Sequence, residues 1–120
     1  MNRTIMTVDD STSMRQMVRA TLQSAGYGVV EASDGQEALE YARQNSVDLV
    51  ISDVNMPRMD GITLVGELRT LPTYRLTPVL LLTTESSQEK KQEGKRAGAT
   101  GWIVKPFNPA QLLATLRKLL

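Results

Sequence analysis

Five short apolar runs punctuate the chain, at Ile5 to Val8, Val29 to Ala32, Leu49 to Ile51, Val79 to Leu82 and Trp102 to Val104, each followed by a helix-length polar segment. These runs are nearly continuous rather than alternating, which suits strands covered on both faces, the habit of parallel sheets in α/β proteins. Five strands alternating with five helices in 120 residues predict one domain over residues 1–120. Right-handed crossovers put helices on both faces of such a sheet, and in open sheets of this kind function gathers at the carboxyl ends of the strands.

The intervening segments carry their own helix signals. After Asp10 a Ser-Thr-Ser stretch offers N-caps, and Met14, Met17, Val18, Leu22 and Ala25 keep helical spacing until Gly26 stops the pattern. Asp34 can cap a helix whose inner face is Ala38, Leu39 and Ala42, and Gly61 opens another with Leu64, Val65 and Leu68 on one side. Asn108 and Pro109 form an N-cap and first-turn pair before a stripe of Leu112, Leu113, Leu116 and Leu119 or Leu120. The fourth helix is different. Ser86 to Arg96 reads SSQEKKQEGKR, with no large apolar residue and a glycine inside, so a marginal helix is expected.

Composition narrows the chemistry. The chain has neither cysteine nor histidine, which removes disulfides, thiol catalysis, imidazole bases and His or Cys metal ligands. Fourteen basic residues against thirteen acidic ones give no global field toward nucleic acid or an anionic membrane. No apolar run approaches the ~20 residues of a membrane span, so a cytoplasmic, soluble protein is expected. The fifth helical segment runs to the last residue of the sequence, so no attached effector domain is expected. No large apolar surface stripe demands a dimer, so a monomer is expected.

The strand ends hold the informative residues: Asp9 and Asp10 after the first, Asp53 after the third, Thr83 with Thr84 after the fourth, and Lys105 with Pro106 after the fifth. Three carboxylates meeting in one crevice raise one another's proton affinity unless a cation neutralises them. Oxygen-only ligation selects a hard ion, and a site with few protein ligands and room for water and phosphate oxygens suits Mg²⁺ better than Ca²⁺. An aspartate oxygen can attack phosphorus to form an acyl phosphate if the charge on the three equatorial oxygens is neutralised. Asp53 is the expected nucleophile; a metal, the Lys105 ammonium, and the Thr83 hydroxyl with nearby amides would each take one oxygen.

Asp9-Asp10, the stretch DVNMPRMDG from Asp53, Thr83, and Lys105-Pro106 together resemble the receiver domains of two-component response regulators, in order and in spacing. The resemblance spans essentially the whole chain and is nearest to free-standing chemotaxis regulators of the CheY type. It implies the (βα)5 flavodoxin-like doubly wound fold, with strand order 2-1-3-4-5. It implies Asp53 as the phosphorylated residue, Asp10, Asp53 and the Asn55 carbonyl as Mg²⁺ ligands, and Asp9 as a ligand through water. Trp102 would be the switch aromatic coupled to Thr83, Asn55 and Glu85 would tune hydrolysis, and the bond before Pro106 would be cis. A sensor histidine kinase of the chemotaxis type is the implied donor, and a flagellar motor switch or another signalling protein the implied target.

Blander readings attach to each part. A lone Asp after an apolar run is usually a cap, and Asn-Met-Pro or Asp-Gly alone is loop punctuation. Lys90, Lys91, Lys95 and Arg96 interleave with Glu89 and Glu93 as a solvated helix face does. Met6, Met14, Met17, Met56 and Met59 read as core fillers. A phosphohydrolase with an aspartyl-phosphate intermediate would want a second Asp two residues after the nucleophile, where this chain has Asn55. A flavodoxin-like cofactor carrier would find Asp9 and Asp10 where a phosphate loop belongs. A phosphorelay intermediate or phosphate sink fits the same residues as a switch.

Overall fold

A computed structural model describes residues 3–84 and 87–120. The strands are β1 (Thr4–Val8), β2 (Gly28–Ala32), β3 (Leu49–Ser52), β4 (Val79–Thr83) and β5 (Gly101–Val104), and the helices α1 (Thr12–Ser24), α2 (Gly35–Gln44), α3 (Gly61–Arg69), α4 (Gln88–Ala97) and α5 (Pro109–Leu119). All strand pairs are parallel, in the order β2-β1-β3-β4-β5. The expected doubly wound, flavodoxin-like sheet is therefore present, and its order reverses between β1 and β3.

Side chains alternate across the sheet, as the pleat requires. Ile5, Leu49, Ile51, Leu80 and Leu82 join Val18 and Leu22 of α1 and Leu112 and Leu116 of α5 in one core. Met6, Val8, Val50 and Leu81 face the other way and meet Ala38, Leu39 and Ala42 of α2 and Leu64, Val65 and Leu68 of α3. Each fully buried aliphatic side chain contributes about 1.5–3 kcal/mol, and the three inner strands are buried along nearly their whole length. β2 and β5, at the edges, are mostly half-buried.

The helix starts follow the local signals. Ser11, Asp34, Asp60, Ser87 and Asn108 each accept a hydrogen bond from the backbone N–H three residues on, satisfying donors that the helix itself leaves orphaned. α1 departs from its expected face: Met17 is 56% exposed and Ala25 is also exposed. Val18 and Leu22, one turn apart, make the buried stripe, and position 17 is rotated off it. A 3₁₀ turn at Pro72–Tyr74, which periodicity does not announce, buries Tyr74, whose hydroxyl donates to the Asn45 carbonyl at 2.7 Å.

α4 contains only one buried residue, Gly94. A Cβ there would lie 3.0 Å from Leu81 Cδ1 and 3.1 Å from Trp102 Cζ3. The glycine that weakens the helix in sequence terms is thus the position where the Trp102 indole seats against it. The missing aliphatic side chains of α4 are replaced by a large ring from β5.

Candidate functional site

The sheet register builds the site. The Asp53 N–H donates to the Val8 carbonyl at 2.8 Å and the Asp9 N–H to the Ala32 carbonyl at 3.1 Å, so the tips of β1, β2 and β3 end level with one another. On the other side the Lys105 N–H donates to the Thr83 carbonyl at 2.7 Å, which ties β5 to β4. Both aspartates therefore stand at the point where strand order reverses, the crevice favoured by ligands in open α/β sheets.

Asp9, Asp10 and Asp53 can each offer a carboxylate oxygen such that all three lie within 4.8 Å of one another. Asp9 and Asp53 are buried and Asp10 is exposed. The Lys105 ammonium sits between the buried pair, 3.1 Å from Asp9 Oδ2 and 3.4 Å from Asp53 Oδ1. The Val54 N–H donates to the same Asp53 oxygen at 2.9 Å. Burial first, and then the charge of Asp9, push the Asp53 carboxyl above its ordinary value, while Lys105 and the Val54 N–H pull it back. One ammonium does not balance three carboxylates. An oxygen-only set carrying that surplus charge fits a hard divalent ion.

The loop after Asp53 depends on a close approach. The Gly61 N–H donates to the Val54 carbonyl at 2.8 Å, and a Cβ at Gly61 would lie 2.1 Å from the Asp53 carbonyl oxygen. No side chain fits there. Asn55 lies in this loop with its side chain exposed, two residues beyond Asp53.

Thr83 is fully buried. It lies two residues beyond Leu81, which pairs in register with Trp102, so Thr83 and Trp102 occupy the same face of adjacent strands. Trp102 is half-buried against the core beneath α4. The Lys105-Pro106 bond is cis, as the resemblance implies. Glu85 lies outside the described residues.

Two arginines near the site carry no signal in the sequence pattern. Arg15, in the first turn of α1, donates to the Asp9 carbonyl at 2.5 Å and pairs with Glu31 of β2 at 3.4 Å. Arg58 has φ 66°, and among the described residues it is the only non-glycine with positive φ. Its guanidinium donates to both oxygens of Asp34, at 2.7 and 3.1 Å. That contact, with the Glu37 N–H, holds the Asp34 carboxyl below its ordinary value.

The profile of the response regulator receiver domain family matches residues 5–117. The transcriptional regulatory protein SrrA of Staphylococcus aureus is 34% identical over 120 residues, all of this chain but 48% of that protein. The chain therefore spans about half the length of the curated relatives it matches. Among solved structures, the Vibrio cholerae chemotaxis protein CheY4 is 56% identical over 100% of both chains, with a TM-score of 0.95. The receiver domain of the sensor histidine kinase PA1611 from Pseudomonas aeruginosa PAO1, with a magnesium ion coordinated in its active site cleft, is 28% identical. It covers 99% of this chain and 98% of that one, with a TM-score of 0.92.

Proposed function

Because the chain belongs to the response regulator receiver domain family, a family of phosphoacceptor switches rather than turnover enzymes, we propose that a sensor histidine kinase phosphorylates it on Asp53 and thereby changes its partner-binding face. The observation that carries this reading is the Lys105 ammonium bridging Asp9 and Asp53 at 3.1 and 3.4 Å beside a third carboxylate. An Asp53 oxygen attacks the phosphorus of a phosphohistidine donor; the P–O bond forms as the P–N bond breaks, leaving an acyl phosphate on Asp53 and the imidazole on the kinase. Lys105 and the Thr83 hydroxyl, with amides of the Asp53 loop, take charge on the equatorial oxygens. Mg²⁺ held by Asp10, Asp53 and the Asn55 carbonyl, and by Asp9 through water, would supply the remaining positive charge. Asn55 and Glu85 set how readily water reaches the acyl phosphate, and self-dephosphorylation resets the switch.

The output follows from the face shared by Thr83 and Trp102. Drawing Thr83 toward the phosphoryl group alters the β4 surface on which the indole and α4 rest. α4 buries only a glycine, so it is the two-state element that phosphorylation biases. Full-length similarity to a chemotaxis protein at 56% identity supports a chemotaxis pathway, with a chemotaxis-type kinase upstream and a flagellar motor switch or another signalling protein downstream. Among the described residues no helix is long and apolar enough to cross a membrane, which fits a cytoplasmic place for both encounters.

A small phosphodonor with Mg²⁺ should add one base-labile phosphoryl group per chain, read by intact mass spectrometry, and Asp53→Asn should abolish it. Label persisting in that variant would mean a different nucleophile. Motor-switch protein captured equally well with and without a phosphoryl mimic would overturn the output assignment.

A further inference from the structure

The loop from Val54 to Asp60 follows Asp53 and carries Asn55, and Arg58 is its least comfortable residue. At φ 66° it occupies the left-handed region, which glycine or asparagine adopts more readily than arginine. The conformation is held by contacts. The guanidinium grips Asp34 through both oxygens, a bidentate, charge-assisted geometry that a lysine does not reproduce. Asp34 is itself fixed as the N-cap of α2, its Oδ1 accepting from the Glu37 N–H at 2.9 Å. The next residues of the two segments are also joined, the Gly35 N–H donating to the Met59 carbonyl at 3.2 Å. Within the loop the Met59 N–H donates to the Pro57 carbonyl at 2.7 Å.

We propose that Arg58 is a positioning residue for the acidic centre: by clamping Asp34 it moors the Asp53 loop to the start of α2 and so fixes where Asn55 stands relative to the three carboxylates. Arg58 spends its guanidinium on Asp34, and its side chain is 59% exposed while that of Asp34 is 10% exposed. The clamp therefore acts on the loop and not on the reacting atoms. The proposal rests on the reading of Asp9, Asp10, Asp53 and Asn55 as a divalent-cation site.

The test is Mg²⁺ binding by calorimetry at low ionic strength on the whole chain, for the wild type, Arg58→Gly, Asp34→Asn, their double variant and Asp10→Ala. Asparagine keeps the N-cap while removing the charged grip, and glycine relieves the left-handed backbone. Each single variant should bind Mg²⁺ about tenfold more weakly, and the double variant no more weakly than either, because both remove one contact. The sign separates the clamp from a plain charge effect. Through space, losing a cation strengthens Mg²⁺ binding and losing a carboxylate weakens it, whereas the clamp weakens both. A merely structural arginine would lower the thermal midpoint in chelator and leave the affinity alone; here Arg58→Gly should keep the midpoint and lose affinity. Unchanged or tighter binding in Arg58→Gly, alongside lost binding in Asp10→Ala, would overturn the clamp alone. Binding that survives Asp10→Ala would overturn the cation site and the clamp together.

Discussion

α5 and α4 flank the same end of the sheet and are held by opposite means. α5 contributes Leu112 and Leu116 to the core, both essentially fully buried, and starts at a capped Asn108-Pro109 pair. α4 contributes a buried glycine and the half-buried Ala97, and most of what holds it belongs to other elements: the Trp102 ring, Leu81, and Arg69. The Arg69 guanidinium donates to the Gly98 carbonyl at the α4 C-cap, at 2.8 and 3.2 Å, and to the carbonyls of Tyr74 and Thr77 at 2.7 and 2.6 Å. Moving α5 would empty the space its leucines fill, whereas α4 has little buried side-chain volume to withdraw. The contrast extends to the strand tips, where β1 and β3 end in carboxylates whose mutual repulsion works against the fold.

The largest expected effect lies on the α5 side. Leu116→Ala should cost about 2–5 kcal/mol in denaturant unfolding, while Gln92→Ala on the exposed face of α4 should stay within about 0.5 kcal/mol. Equal losses would erase the distinction between the helices. Next in size is the seat of α4. Gly94→Val should cost about 1–3 kcal/mol by overpacking, and adding Trp102→Phe should restore part of it; no recovery would mean the indole is not what the glycine accommodates. The smallest effect concerns Asp53. Its folded carboxyl is raised above its ordinary value, so the fold binds protons more readily there than the unfolded chain does. In chelator this group's penalty is fully present above the raised value and fades as pH falls through it toward the ordinary one. Asp53→Asn should therefore raise the thermal midpoint near neutral pH, with the gain shrinking as the buffer is acidified. A gain that grows on acidification would contradict the sign.

What could be read in the sequence was what is local or what sits at a strand end. The caps at Asp34, Asn108 and the Ser11 region depend on neighbours three residues away, and the carboxylates converge because parallel strands necessarily end on one edge. The pattern was blind to contacts made across the chain. Arg58 finds Asp34 at a separation of 24 residues and Arg69 finds Gly98 at 29, with nothing in either segment to announce the partner. Gly94 misleads for the same reason: helix propensity counts it as a weakness, and only the sheet register reveals the ring that fills its place. Met17 shows the reverse error, an apolar residue near the helical period whose angle puts it in solvent.

The seat of α4 has one more consequence. Trp102 is the single tryptophan of the chain, and its indole lies against the helix that carries the fewest anchors of its own. Excited near the red edge of its absorption, the protein emits from one place only, so its colour and quenching report the state of the α4 seat without any label being attached.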